Sequence, residues 1–134
     1  MTSPIIINQT IKNFSKKISV NPDKSLSIRF LILASLAIGK SKAFNLSNGE
    51  DVKSTIKCLR KLGISIKLNK NYCEIIGNGM SGYNYKNNLT LDAGNSGTAA
   101  RLIFSTLVNS PKIMNVTGDQ SLKKRDMSRI TKPL

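Results

Sequence analysis

Histidine and tryptophan are both missing from the 134-residue sequence, and cysteine occurs only twice. Without histidine the chain offers no cluster of histidine and cysteine ligands for zinc and no histidine general base. Cys58 and Cys73 fall on different predicted elements, so we expect both to be ordinary buried or half-buried thiols. The sequence therefore favours chemistry that uses neither zinc nor a histidine.

Long apolar runs are missing as well. The longest nearly uncharged run, residues 30–39, is too short to cross a bilayer and lacks the flanks of a signal peptide. An apolar fraction of 40% with 5% aromatic residues favours one domain with a core of isoleucine and leucine. We therefore expect a cytoplasmic protein that has no membrane partner.

Acidic residues are scarce, because 7 Asp and Glu stand against 21 Lys and Arg, a formal net charge of +14. Such an excess favours anionic partners, namely nucleic acid, a membrane surface or phosphorylated metabolites. The lysines are scattered singly and no aromatic pair resembles a base-stacking platform, so nucleic acid is the less favoured partner. A general bias towards lysine and asparagine would give the same net charge.

The predicted elements follow the order βαβαββ and then begin again. The first unit, about residues 16–79, has strands at 16–20 and 41–46, helices at 25–38 and 48–63, and a hairpin at 64–79. The second unit, about residues 88–134, has strands at 88–93 and 112–118 and helices at 94–110 and 119–134. This internal repeat has an offset of about 70 residues. The sequence therefore predicts an α/β fold (mixed α+β) of repeated βαβαββ units, one complete and one incomplete, and we expect a fragment of a longer chain.

Both units place polar residues where an apolar helix begins. Helix N-termini attract anions through their unpaired N–H groups and their dipole. In the first unit Ser25 and Arg29 share a helix face, and Lys24 is expected just outside the helix. In the second unit Asn95 offers side-chain hydrogen bonds, and Gly97 is expected to leave its N–H exposed to a ligand.

A purely structural interpretation of the same residues stays open. Ser25 and Ser96 would then be helix N-caps, and Arg29 and Arg101 would be solvated or paired charges. The residues alone do not decide between this interpretation and a phosphate site.

Three separated motifs, "DKSLSIR", "LDAGNSGTAARL" and "TGDQSLKKRDMSRI", resemble in order and spacing the N-terminal part of the 5-enolpyruvylshikimate-3-phosphate (EPSP) synthases. The likeness runs from about residue 17 to residue 134, and the chains of that family are much longer. The sister family, the UDP-N-acetylglucosamine enolpyruvyl transferases, usually carries a reactive cysteine shortly before the arginine that Arg125 matches. Residues 119–124 contain no cysteine, so the shikimate branch is favoured.

The resemblance implies transfer of the enolpyruvyl group from phosphoenolpyruvate to the 5-hydroxyl of shikimate 3-phosphate. The reaction releases phosphate and proceeds through a tetrahedral intermediate without metal or cofactor. The residues that match the family's site form two groups. Those implied to bind shikimate 3-phosphate are Lys24, Ser25 and Arg29, and those implied to bind phosphoenolpyruvate are Lys24, Asn95, Gly97 and Arg125, with Lys24 also implied to be catalytic.

Several positions depart from the family pattern. Ile28 stands where many members carry histidine, Pro22 where many carry glycine, and Asp126 where proline usually follows the arginine. We expect Ile28 to be tolerated in the core, whereas the Asp126 carboxylate would compete with a substrate phosphate for Arg125. Arg101 also matches a regular family position, and we expect it to be structural.

The family fold implies two domains of three βαβαββ units each, with some helices buried inside and the active site in the cleft between the domains. Residues 1–15 would pair with the second domain, which this sequence does not contain. Because the family draws its site from both domains, we expect this chain alone to be inactive and its exposed apolar surface to favour self-association, although the family is usually monomeric. The alternative is a non-catalytic remnant or a basic polyanion-binding module.

Overall fold

Five helices and five strands lie within residues 18–134, which with residues 6, 8 and 15 are the part of the chain that the computed structural model describes. In chain order the elements are α1 (Lys24–Leu36), β1 (Ile38–Phe44), α2 (Glu50–Lys61), β2 (Ser65–Leu68), β3 (Tyr72–Asn78), β4 (Leu89–Asp92), α3 (Gly97–Thr106), β5 (Met114–Thr117), α4 (Gln120–Lys123) and α5 (Ser128–Thr131). The mixed α/β class predicted from the sequence is confirmed, and the boundaries of the two repeat units stay predictions.

The strands form two small sheets. The first has the order β1-β3-β2 and is antiparallel throughout, with Ala43 and Leu68 both opposite Cys73. The Asn69 N–H donates to the Tyr72 carbonyl at 2.9 Å and closes the hairpin between β2 and β3, as predicted. The second sheet pairs β4 with β5 in parallel, and α3 makes the crossover that a parallel pair requires.

The core lies between α1, α2, α3 and the inner face of the first sheet. Its fully buried large side chains are Ile28, Leu31, Leu59, Leu62, Ile75, Leu91 and Ile103. Burial of each such side chain contributes about 1.5–3 kcal/mol. Ile28 has no exposed surface and faces the core as expected, whereas its tolerance in place of the family's histidine stays a prediction.

Helix α1 is less enclosed than its apolar sequence predicts. Ile28 and Leu31 are fully buried, whereas Leu26 is 63% and Leu33 67% exposed. Packing by α2, α3 and β3 covers only one side of the helix, and this leaves an apolar face without a neighbour among the described residues. Self-association through this face stays a prediction. Among the described residues, no helix combines the length and the apolar character needed to span a membrane.

The chain leaves α1 earlier than the prediction of a helix to residue 38. Ala37 is already extended, with φ −70° and ψ 162°, and its carbonyl accepts the Gly79 N–H at 3.0 Å. The helix ends here because β3 crosses its C-terminal turn and Gly79, directly after β3, supplies that donor. β1 therefore begins at Ile38, before the predicted strand at 41–46.

The N-terminal part of the chain departs from the predicted elements. Residues 18–20 form no strand and are exposed, because no neighbouring strand pairs with them among the described residues, so this part of the predicted strand at 16–20 is wrong. Residues 16 and 17, and nearly all of the segment 1–15, lie outside the described residues.

The predicted helix at 119–134 is wrong, because this stretch forms two four-residue helices, α4 and α5. The Asp126 carboxylate accepts the Ser128 N–H at 2.7 Å and the Ser128 hydroxyl at 2.5 Å. Such local hydrogen bonds from an aspartate compete with the helical pattern and begin a new turn.

Candidate anion-binding site

The N-termini of the three long helices lie at the same end of the molecule. Lys24, the first residue of α1, donates from Nζ to Oδ2 of Asp51 in the first turn of α2 at 2.8 Å. A β-carbon on Gly94, in the turn before α3, would lie 2.8 Å from Oγ of Ser54 in α2. These contacts place the start of α1 beside the first turn of α2, and the turn before α3 beside Ser54 of α2, and the positive end of a helix dipole attracts an anion.

At the start of α1 the N-cap is Asp23, whose side chain accepts the Leu26 N–H at 2.6 Å. Lys24 is consequently inside the helix and not just before it, and Ser25 is not the cap. Asp23 takes this position because its carboxylate reaches the free N–H groups of the first turn. Ser25 is half-buried and Arg29 exposed on the same helix, and within the described part of the chain neither side chain has a hydrogen-bond or ion-pair partner.

Ser27 is a residue that the sequence interpretation missed. Its buried hydroxyl donates to the Asp23 carbonyl at 2.7 Å and accepts the Ser47 N–H at 3.0 Å. The side chain thereby ties the loop between β1 and α2 to the first turn of α1. Its spacing from Ile28 and Leu31 places it on the buried side of α1, and this spacing was the signal in the sequence that could have identified Ser27.

The turn between β4 and α3 is built around Gly94, whose φ of +60° is the left-handed conformation that glycine adopts most readily. Its N–H donates to Oδ1 of Asp92 at 2.8 Å. The buried Ser96 caps α3 by accepting the Ala99 N–H at 3.2 Å, so the capping role considered for Ser96 is confirmed. These bonds fix the direction in which α3 points its N-terminus.

Arg125 lies against this N-terminus. Its Nη2 donates to Oδ1 of Asn95 at 2.5 Å, and its Nη1 lies 2.8 Å from where a β-carbon on Gly97 would be. The absence of a side chain at Gly97 therefore makes room for the guanidinium. The structure brings Asn95, Gly97 and Arg125 together, but the Gly97 N–H is not free as expected, because it donates to the Asn95 carbonyl at 3.1 Å in the tight turn.

A second guanidinium approaches the same glycine. Nη1 of Arg101 lies 3.5 Å from the position of a Gly97 β-carbon, and its Nη2 donates to the Asp126 carbonyl at 3.4 Å. Its Nε is buried and has no hydrogen-bond partner among the described residues. Two like charges beside one helix N-terminus strengthen the attraction for an anion.

The expected competition of Asp126 for Arg125 is not observed, because the Asp126 carboxylate is bonded elsewhere. Both of its carboxylate oxygens accept from Ser128, and these hydrogen bonds lower the pKa of Asp126 below its usual value. In the described part of the chain no carboxylate forms an ion pair with Arg125, so its charge is available to a ligand. Within the same part, no three histidine, cysteine or acidic side chains lie close enough to hold a metal ion.

Cys58 packs beneath this end of the molecule, where its Sγ donates to the Asp92 carbonyl at 3.2 Å. Both cysteines are buried free thiols, as predicted. Burial raises the pKa of the Cys58 thiol from 9.0 to about 11, and the negative charge of Asp92 adds to the effect.

The raised pKa predicts a pH dependence for thiol chemistry and for stability. At pH 8 the folded chain should resist iodoacetamide, and the urea-unfolded chain should react at both cysteines, as mass spectrometry would show. The stability contributed by the protonated Cys58 is present below pH 9.0 and is lost as the pH rises towards about 11, because only the unfolded chain then releases the proton easily. Rapid alkylation of Cys58 in the folded chain at pH 8 would contradict this assignment.

Comparisons with known proteins agree on one family. The family model for EPSP synthase (3-phosphoshikimate 1-carboxyvinyltransferase) matches residues 8–134. A curated relative named 3-phosphoshikimate 1-carboxyvinyltransferase from Desulforamulus reducens is 44% identical over 131 residues, which are 97% of this chain and 30% of the relative. One of the same name from Bacillus cytotoxicus is 41% identical over 123 residues, 92% of this chain and 29% of the relative.

The fold comparison gives the same result. The solved structure of EPSP synthase from Acinetobacter baumannii superposes with a TM-score of 0.78 at 38% sequence identity, over 89% of this chain and 27% of that one. The chain thus spans about 30% of the length of the curated relatives that it matches.

Proposed function

We propose the function of this chain on the basis that it belongs to the EPSP synthase family. The identification made from the three sequence motifs is thereby confirmed. We propose that the chain supplies part of the active site of a cytoplasmic enzyme that transfers the enolpyruvyl group from phosphoenolpyruvate to the 5-hydroxyl of shikimate 3-phosphate. Because the chain spans about 30% of its relatives, the rest of that site is proposed to come from residues outside this sequence.

The observation that carries the proposal is the position of Arg125. Its guanidinium lies on the N-terminus of α3, where Gly97 has no side chain to exclude it, and no described carboxylate pairs with it. A guanidinium can hold a phosphate or carboxylate in two places at once, which fixes orientation as well as charge. We therefore propose Asn95, Gly97 and Arg125 as the phosphoenolpyruvate side of the site.

Shikimate 3-phosphate is proposed to bind at the first turn of α1. Ser25 and Arg29 lie on one face of that helix, and their side chains have no partner within the described residues. Lys24 is 53% exposed despite its contact with Asp51, so its ammonium can reach a ligand. We propose that Lys24 contacts both substrates and is the catalytic residue of this part of the site.

The proposed reaction needs charge stabilisation more than bond-making by the protein. The 5-hydroxyl loses its proton as its oxygen adds to C2 of phosphoenolpyruvate, and C3 takes a proton, which gives a tetrahedral intermediate. Loss of phosphate from C2 and of a proton from C3 then restores the double bond in the product. Positive groups held in place at the phosphates stabilise the charge that develops as phosphate leaves.

A hybrid enzyme tests this proposal directly. Residues 8–134 would replace the matching segment of the Desulforamulus reducens relative, and the hybrid would be assayed for phosphate release and for growth of a bacterial strain that lacks its own enzyme. We expect an active hybrid, loss of activity on Arg29→Ala, and little change on Arg129→Ala as the matched arginine control. The 134-residue chain alone is expected to show no turnover.

The alternative, a non-catalytic remnant or a basic polyanion-binding module, predicts other results. A hybrid that folds but lacks activity, together with salt-dependent binding of the 134-residue chain to DNA of mixed sequence, would favour that alternative. The scattered lysines of the sequence favour the enzyme instead.

A further inference from the structure

The side-chain amide of Asn95 lies between two charged groups of opposite sign. Its Nδ2 donates to Oδ2 of Asp119 at 2.6 Å, and its Oδ1 accepts from Nη2 of Arg125 at 2.5 Å. Asp119 is the N-cap of α4, the helix that leads to Arg125, and its N–H donates to the Gly94 carbonyl at 2.9 Å. The three side chains form one chain of hydrogen bonds across two loops.

The chemistry of an amide makes this order directional. An asparagine side chain has a donor end and an acceptor end, and a carboxylate is only an acceptor whereas a guanidinium is only a donor. With Asp119 on one side, the Nδ2 end must face it, and the Oδ1 end is left for Arg125. Rotation of the amide would place its NH₂ against the Arg125 guanidinium, donor against donor, and its oxygen against the Asp119 carboxylate, acceptor against acceptor.

We propose that Asp119 is a positioning residue that sets the orientation of the Asn95 amide and thereby holds Arg125 over the N-terminus of α3. This inference deepens the proposed function and rests on it only where Arg125 is taken as the phosphate ligand. The sequence interpretation gave Asp119 no role, because its partner Asn95 lies 24 residues away along the chain.

The two oxygens of Asp119 have separable tasks. Oδ1 accepts the Leu122 N–H at 2.7 Å and caps α4, whereas Oδ2 faces Asn95. Asp119→Ser keeps a capping oxygen and removes the bond to Asn95. Asp119→Asn keeps the capping oxygen too, but it presents an NH₂ group to Asn95 and so favours the reversed amide. The two variants therefore differ in amide orientation while both retain a cap.

The experiment compares these variants of the 134-residue chain by NMR. The Leu122 N–H reports the cap, the Asn95 NH₂ and Arg125 Nε–H signals report the chain of hydrogen bonds, and titration with inorganic phosphate reports the charge. We expect the cap to persist in both variants. In Asp119→Asn the Arg125 signal should lose its wild-type shift and phosphate should bind about tenfold more weakly, whereas Asp119→Ser should lose about threefold.

A double variant supplies the rescue. In Asn95→Asp with Asp119→Asn the net charge is unchanged and an acceptor again faces Arg125, so the Arg125 Nε–H signal should return to a restrained state. Equal effects of Asp119→Asn and Asp119→Ser, or no recovery in the double variant, would overturn the inference. If the wild-type chain binds no phosphate while these NMR signals respond as expected, the proposed phosphate role of Arg125 fails and the positioning role of Asp119 stands.

Discussion

Gly77→Ala is expected to abolish stable folding of the chain. A β-carbon at this position would lie 2.2 Å from the Ala34 carbonyl oxygen and 2.4 Å from that of Ala37, both in the last turn of α1 or just after it. Backbone atoms cannot move aside as the end of a flexible side chain can. Overpacking usually costs about 1–3 kcal/mol, and a clash with two carbonyl groups exceeds that range. Urea unfolding followed by circular dichroism measures the loss.

Gly49→Ala is the matched control for this prediction. Gly49 is the N-cap of α2 with φ −62°, and a β-carbon there would meet only Oγ of Ser47 at 3.6 Å. The free energy of unfolding should fall by less than about 1 kcal/mol, because only the capping preference changes. If both variants unfold at the same urea concentration, the close crossing of β3 over the end of α1 is wrong.

Much of the fold follows from local patterns in the sequence. The helix α2 was predicted within two residues at each end, because Glu50 and Asp51 begin it and Gly63, with φ +87°, follows its end. The hairpin of β2 and β3 was also predictable, since alternating apolar residues flank a short turn rich in asparagine. In both cases the signal lies within a few residues of the feature.

The features that the sequence did not reveal depend on contacts between distant segments. α1 ends early because Gly79, directly after β3, donates its N–H to the Ala37 carbonyl, and the expected free N–H of Gly97 is used within its own turn. The role of Asp119 depends on Asn95, and that of Ser27 on Ser47. The motifs identified the residues of the candidate site, but not the hydrogen bonds that orient them.

Lys24→Met in the hybrid enzyme is expected to lower kcat by about 10²–10³-fold, the usual effect of removing one group that stabilises charge in the transition state. Lys24 begins α1, and its ammonium lies 2.8 Å from Oδ2 of Asp51 in the first turn of α2. Methionine keeps the length and the apolar stem of the side chain and removes only the charge. Steady-state assays with each substrate varied in turn measure kcat and both KM values.

Lys53→Met provides the matched control. Lys53 also pairs with a carboxylate in the first turn of a helix, because its Nζ lies 2.7 Å from Oε1 of Glu50. The side chain of Lys53 is 51% exposed, against 53% for Lys24. Exposed ion pairs of this kind add little stability, so both variants should keep the wild-type melting temperature. The two lysines pair with different carboxylates, and Lys53 lines a cavity with the loop of residues 45–48, the hairpin turn of residues 68–73 and residues 21 and 22. Similar losses of kcat in both variants would mean that general positive charge assists the reaction, whereas a loss confined to Lys24→Met assigns the catalytic role to that one side chain.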